Sequence, residues 1–535
     1  MLIWLSVSLP RLNGPIDLRW DASTYFILGT ALAEGKGYRL LNEPGEIQAV
    51  QYPPLLPGII AVTQRMMGTS DYVKVGSALR IVYFAISGLY LIASYALARK
   101  LLGPLAALVV GAGTALSFYS FLHPSDTLYA EMPFALIATL FLLFHRHDST
   151  PFSTGTEGLL GAAAYFLRTA GLALLAAWIA ESLLRRRFRE SIIRTAISAM
   201  PILLWQTHIW RVTHSEDYRQ PAYPYQRAPY YYTNVTYGEN SRLLSPFRPE
   251  LGQTTISRFP MRLARNLGAI PIGLGESALV DRRFGLPGHW HRGSQVLSVC
   301  LFLAGLAALT GAGLVATSRR WFLTVFFALM IGLIVLTPWP EQFWRYLAPL
   351  TPLTLIFVLC ALVAACRVMR RWSPQWGPAA GAVALAAPTT GMLLIQTAVA
   401  IYFLRTMLPV SYYDASGRQR TLRLLTYQSP WHSLDSTFEW VRLHAKRGAV
   451  VATAVPQMAY LRTGHKAVLP PFEPDPVKAT HLLDEVPVDY LVVDQLGGPH
   501  ITERYVAPLV ASQPQDWKLV FTAPDAGAKV YERVR

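Results

Sequence analysis

Up to about residue 405 the chain alternates apolar runs of near 20 residues with short basic connectors, and a different pattern follows. A helix of roughly 20 apolar residues matches the hydrocarbon thickness of a bilayer. Spans are predicted at 1–12, 75–98, 104–122, 127–144, 158–184, 191–211, 295–317, 321–338, 346–366 and 379–404. The first is incomplete, because MLIWLSVSLP is apolar over only about nine residues. Part of that span is expected to precede the given start, and no cleavable signal peptide is evident. Residues 53–67 are apolar but short, and are expected to pack at the membrane interface.

Basic clusters orient these spans. Arg99 and Lys100, Arg146, Arg185–Arg187 with Arg189, Arg319 and Arg320, and Arg367 with Arg370 and Arg371 are expected on the cytoplasmic side. A single crossing by 158–184 would put RRRFRE on the opposite face. A broken hairpin with Arg168-Thr169-Ala170-Gly171 at its outer tip restores the rule, and such backbone is tolerated where it packs in protein. The alternative is one tilted helix that violates the rule. With the hairpin, every longer polar segment is extracytoplasmic: 13–74, the stretch near 122–131, the hairpin tip, 212–294, Thr337–Tyr346 and the tail.

The tail, 406–535, reads as a small soluble α/β domain. Ala449–Val455, Tyr490–Asp494, Trp517–Thr522 and Lys529–Arg533 read as strands. Ser436–His444, Pro476–Glu485 and Ile501–Ala511 read as helices between them. The division is therefore a membrane domain, 1–405, and an extracytoplasmic domain, 406–535, with no internal repeat.

Composition agrees with this picture and narrows the partners. Charged residues make up 15% of the chain, against about 25% in soluble domains, and mean hydropathy is +0.30. The net charge of +16 follows from the basic connectors, so no nucleic-acid partner is expected. Cys300, Cys360 and Cys366 lie in apolar runs and read as small hydrophobes. His208, His214, His289 and His291 do not show a metal-ligand spacing.

Candidate chemistry gathers in the outer segments. The loop from Asp17 to Gly58 carries Asp21 beside Trp20, and then Tyr52-Pro53-Pro54. An acid in a membrane-side loop is a functional-site candidate, although Asp21 could instead cap a helix starting at Ala22. Tyr52-Pro53-Pro54 could be a rigid turn alone. In HPSDTLYAEMPF, Asp126 and Glu131 start a span. They suit either a helix dipole or an acceptor-orienting or supporting role. In PEQFWRYLAPLTPL, Arg345 offers a planar fork for phosphate oxygens, with Tyr346 beside it. The alternative is an interfacial anchor within an aromatic belt. Arg168, at the hairpin tip, is a second phosphate candidate. Tyr223–Tyr225 and Tyr230–Tyr232 could stack on sugars or, as the preferred reading, lie at the headgroups. Asn234-Val235-Thr236 matches a glycosylation acceptor pattern.

The loop Asp17–Gly58 resembles the first extracytoplasmic loop of the GT-C glycosyltransferases, and Ala31–Tyr38 fits the helix ending in a Gly-aromatic stretch seen there. Tyr52-Pro53-Pro54 is similar to the aromatic-Pro-Pro turn of protein O-mannosyltransferases and lipid A aminoarabinose transferases. The lipid A enzymes place Glu-Lys before Pro-Pro, whereas this chain has Gln51-Tyr52, without the Glu that would carry a metal contact. Tyr129-x-Glu131-x-Pro133 and Arg345-Tyr346-Leu347-x-Pro349 also resemble runs of that family.

The resemblance implies an α-helical polytopic membrane protein, GT-C-like, with about 10–12 transmembrane helices and large extracytoplasmic loops. It implies an inverting transfer of sugar from a polyprenyl-phosphate carrier to an extracytoplasmic protein, lipid or glycan. Asp21 would be the base, Arg345, Arg168 and Tyr346 would meet the donor phosphate, and Asp126, Glu131 and Tyr52 would support the acceptor side. Some relatives use a divalent metal, and the residues here do not commit to one. The implied location is a bacterial inner membrane with the site and tail on the periplasmic side. A transporter or lipid flippase, and a non-catalytic envelope assembly protein, are the alternatives. Transporters tend to show repeats and midplane polar groups, whereas the notable polar residues here gather at one predicted face.

Overall fold

The computed structural model describes the chain apart from residues 1, 147–149, 281–290, 319, 373–377, 414–418, 487, 497–499, 525–526 and 535. His289 and Arg319 therefore lie outside the described residues. The chain divides into two compact units, each built from three separate stretches. One comprises Met1–Leu12, Arg80–Leu204 and Phe259–Thr406, and the other Asn13–Leu79, Trp205–Arg258 and Met407–Arg535. The first outer loop and the early part of the large one thus fold with the tail.

The first unit is helical. Among the described residues, four helices are long and apolar enough to cross a membrane: Tyr72–Leu101, Gln295–Thr317, Pro340–Arg371 and Gly381–Arg405. The bent pair Pro104–Leu116 and Phe118–Asp126, kinked by 69°, makes a fifth if counted as one span. Ten apolar runs are predicted as membrane segments, the one at 158–184 as a hairpin. Glu131–Phe144, Thr169–Leu184 and Trp321–Val335 are apolar but shorter than a full span. The breaks have local causes. Ser117 is extended at φ −66°, ψ 128°, and takes the backbone out of the helix. Arg168 does the same at φ −148°, ψ 135°.

At Arg168 the chain folds back on itself. Pro151–Leu167 ends there, a short turn covers Thr169–Gly171, and Leu172–Leu184 follows. A Cβ on Gly161 would lie 2.5 Å from Leu175 Cδ2, whereas a straight helix would separate those residues by about 21 Å. Small residues also let other helices approach closely. A Cβ on Gly305 would sit 1.8 Å from the Pro271 carbonyl oxygen, and one on Gly311 would sit 1.9 Å from that of Phe357.

The second unit is built around a five-stranded sheet. Its strands are β3 (Val450–Ala452), β4 (Lys466–Val468), β5 (Val488–Asp494), β6 (Trp517–Thr522) and β7 (Ala528–Arg533), after an antiparallel pair, β1 (Leu408–Tyr413) and β2 (Gln419–Leu424). The order is β4-β3-β5-β7-β6, parallel from β4 to β5 and antiparallel from β5 to β6. β3 and β5 are the buried apolar runs that periodicity picks out. At three residues, β4 is too short to show a period, and the helix Pro456–Thr463 joins it to β3.

Loop segments complete this unit. Asn42 pairs with edge strand β4: its carbonyl accepts from the Ala467 N–H at 2.8 Å, and its Nδ2 donates to the Ala467 carbonyl at 3.0 Å. Pairing of this kind covers an open strand edge. The adjacent Glu43 is fully buried. It accepts from the Tyr223 hydroxyl at 2.6 Å, from Gln226 Nε2 at 3.1 Å and from the Tyr231 hydroxyl. Burial pushes its carboxyl up, and these donors oppose the shift. Tyr223, Tyr225 and Tyr231 are buried in the core with Phe472, so they serve neither as a sugar-stacking face nor as headgroup anchors. Their hydroxyls and rings hold the loop down instead.

Candidate active site

Asp21 opens the helix Asp21–Ala33. The cap position belongs to Trp20, whose side chain makes no capping bond, so Asp21 is the first helical residue and not the cap. It is half-buried. Tyr52 donates its hydroxyl to Asp21 Oδ1 at 3.1 Å and packs edge-on against Tyr25, with ring centroids 4.8 Å apart. The Pro53-Pro54 turn leads into the helix Leu55–Met67, which lies against Asp21–Ala33, with Gln64 Nε2 donating to Thr30 Oγ1 at 2.8 Å. Tyr38 donates to the Tyr52 carbonyl at 2.8 Å, and burial holds its phenol well above its ordinary range. His208 fixes the same loop through the Ala49 carbonyl at 3.0 Å. The turn thus places the Tyr52 phenol against the Asp21 carboxylate.

In the first unit, Glu131 begins Glu131–Phe144 and joins both predicted phosphate ligands. Arg345 Nε and Arg168 Nη1 each lie 2.5 Å from Glu131 Oε1. The carboxylate is 3% exposed, and the arginines are 16% and 18% exposed. Arg345 stacks over Tyr129 at 4.2 Å, and Arg168 over Tyr346 at 5.7 Å. The Tyr346 hydroxyl donates to Gln342 Oε1 at 2.9 Å. Two guanidinium groups on one buried carboxylate leave one net positive charge, with the cations on the more exposed side. That arrangement can receive an anion bidentately.

Asp126 is held by a different pair of arginines. Arg80 Nη2 lies 2.8 Å from its Oδ1, and Arg11 Nη1 lies 3.6 Å away. Arg11 also donates to the Leu122 carbonyl at 2.9 Å and to Ser125 Oγ at 3.1 Å. The sequence reading missed Arg11 and Arg80. A lone arginine in an apolar run is itself a signal that a partner awaits it.

Among the described residues, no three His, Cys, Asp or Glu side chains converge to hold a metal ion. Asp126 and Glu131 each face two arginines, surroundings that repel a cation. These residues do not fit a divalent metal.

No protein-family model and no curated protein sequence matches this chain. Solved structures do. The Archaeoglobus fulgidus oligosaccharyltransferase in complex with zinc and sulfate is 13% identical, aligned over 99% of this chain and 72% of its own, with a TM-score of 0.52. The same archaeal oligosaccharyltransferase, AglB, in complex with an inhibitory peptide and a dolichol-phosphate, is 12% identical over 100% and 73%, with a TM-score of 0.50. ArnT from Cupriavidus metallidurans bound to undecaprenyl phosphate is 12% identical over 100% and 96%, at 0.44. With its apolar helices and C-terminal sheet, the chain is an integral membrane protein of the GT-C fold.

Proposed function

We propose that the protein is an inverting glycosyltransferase that moves a sugar from a polyprenyl-phosphate carrier to an extracytoplasmic acceptor. The observation that carries this reading is the pair of part-exposed arginines, Arg168 and Arg345, on buried Glu131. The dolichol-phosphate bound by the structurally similar oligosaccharyltransferase supports a lipid phosphate as the anion.

In this reaction the Asp21 carboxylate takes the proton of the acceptor hydroxyl or amide. The acceptor atom attacks the anomeric carbon from the face opposite the phosphate. The carbon–oxygen bond to the phosphate breaks, and the polyprenyl phosphate leaves with the electron pair. Arg345 and Arg168 stabilise the charge that builds on the phosphate. Glu131 keeps both guanidinium groups in place, Tyr346 backs Arg168, and Tyr52 orients Asp21. Asp126 supports the start of the span through Arg80 and Arg11. The acceptor is a protein, lipid or glycan, and the site faces the periplasm of a bacterial inner membrane.

The test is sugar transfer in membranes expressing wild type, Asp21→Asn or Arg345→Gln, supplied with a panel of labelled polyprenyl-phosphate sugars. Transfer by wild type and its loss in both inserted variants is the expected result. Equal transfer by Asp21→Asn removes that residue as base, and equal transfer by Arg345→Gln removes the arginine pair as phosphate site.

A further inference from the structure

Resting on Asp21 as the base, we infer that the segment Leu425–Trp431 of the C-terminal α/β region orients Asp21 by clamping Arg19 and Trp20. Arg19 and Trp20 are then positioning residues, and the sheet domain is a working part of the catalytic site.

The clamp is built from groups far apart in sequence. Arg19 grips Asp17 through Nε, at 2.8 Å from Oδ2 and 3.0 Å from Oδ1, and through Nη2 at 2.5 Å. The same guanidinium donates to the Leu425 carbonyl at 2.7 Å and the Thr426 carbonyl at 3.1 Å. It also lies over two rings, 4.8 Å from the centroid of Tyr427 and 5.3 Å from that of Trp431. One carboxylate and two carbonyls are met at once by the rigid, multiply donating fork of arginine, which lysine lacks. Both charged side chains are at most 5% exposed, so the contact is buried.

Trp20 follows at φ 57°, ψ −132°, a backbone conformation that side chains other than glycine rarely adopt. Its ring meets Trp431 edge-on at 5.1 Å and 89°, and it packs on the core of the sheet domain. Thr426, whose carbonyl takes Arg19, is also left-handed at φ 55°. Such conformations persist only where the surroundings over-determine them. Starting a helix does not require one, since Ser, Thr, Asp or Asn would cap it without strain. Here the Trp20 carbonyl receives the Ser23 amide at 3.2 Å and the Ser23 hydroxyl at 2.7 Å. The first helical residue, Asp21, leaves the backbone in the direction this turn dictates.

The test uses the full-length protein in lipid nanodiscs, with Arg19→Lys, Trp431→Ala, Trp431→Phe and Asp21→Asn. Hydrogen–deuterium exchange reads the stretch 17–26, and the panel of labelled undecaprenyl-phosphate sugars reads turnover. In Arg19→Lys and Trp431→Ala, we expect 17–26 to lose protection while β3 and β5 keep theirs. We expect kcat to fall about 10–100-fold, as a misplaced catalytic group would make it, with donor KM within twofold. Trp431→Phe, which keeps an aromatic edge, should stay within threefold of wild-type kcat. Unchanged exchange and kcat in Arg19→Lys and Trp431→Ala would overturn the inference. So would a loss of protection that spreads through β3 and β5, because the clamp would then be only a fold contact. Wild-type transfer by Asp21→Asn would instead sink the base assignment, and the exchange arm would still decide whether Leu425–Trp431 holds the turn.

Discussion

Arg345 reaches across 214 positions of sequence to donate its Nε to Glu131 Oε1 at 2.5 Å. Arg168 converges on the same oxygen, so one buried carboxylate sets the separation and tilt of two cations. Removing one partner of a buried ion pair typically costs about 3–5 kcal/mol, because it strands the other charge. Under the proposed function Glu131 would hold the two arginines for the donor phosphate as well as satisfy a buried charge, and its substitution tests the first of these.

Glu131→Gln keeps the shape but removes the charge that holds the two guanidinium groups together. We expect donor kcat/KM to fall about 10–100-fold, equivalent to about 1.4–2.7 kcal/mol of transition-state stabilisation, with the protein still inserted. Arg345→Lys keeps the charge and loses the planar fork, and should fall by a similar factor. Steady-state transfer at varied donor concentration checks both, and near-wild-type values in both would refute the phosphate assignment.

Tyr52→Phe deletes the hydroxyl that meets Asp21 at 3.1 Å while leaving the ring against Tyr25. A hydrogen bond to a charged group contributes about 1.5–3 kcal/mol. If half or more of that is spent on orienting the acid, kcat should drop about 4–160-fold with stability little changed. A variant as fast as wild type would mean that the Pro-Pro turn acts only as a bend.

Gly29 lies where Asp21–Ala33 meets Leu55–Met67. A Cβ there would sit 2.5 Å from Ile60 Cγ2, too close without moving one helix. Gly29→Val should destabilise the second unit by about 1–3 kcal/mol, the usual cost of overpacking. Gly29→Val with Ile60→Ala should recover part of that loss, as thermal unfolding of the purified protein would show.

Asp494 ends β5 at 4% exposure, and burial raises its pKa from 3.8 to about 6. A carboxyl raised in the fold stabilises the protein most below its unfolded pKa. That stability is lost as pH rises from about 4 to about 6, and the penalty is constant above. That rise corresponds to roughly 3 kcal/mol in all. Asp494→Asn does not titrate, and its oxygen can still accept the Leu496 N–H now bonded to Oδ1. Between pH 4 and 7, its stability relative to wild type should therefore move in its favour by roughly 2 kcal/mol. Parallel pH profiles for the two proteins would contradict this.

Much of the architecture was legible without coordinates, because it depends on local periodicity. The apolar runs mark the helices, the charge imbalance at RRRFRE points to the reversal at Arg168, and β5, β6 and β7 stand where alternating and buried runs place them. Asp21 and Arg345 were reached through resemblance to short GT-C runs, Arg168 through its place at the expected hairpin tip, and Glu131 through the cost of an acid at a helix entry. The residue types were informative, whereas their partners were not.

What only the tertiary structure decided is which distant residues meet. Periodicity carries no information about contacts separated by hundreds of positions, and these depend on how whole elements pack. That is why the two units interleave along the chain, and why the tyrosine runs became core and not surface. It is also why Asp126 faces Arg80 and Arg11, while Glu131 gathers the two arginines that the sequence could nominate only one at a time. By itself the sequence determined a helical body with membrane-length apolar runs, a C-terminal α/β pattern and a short set of chemically costly residues. Packing alone turned those residues into pairs, since burial is what makes a charge take a partner.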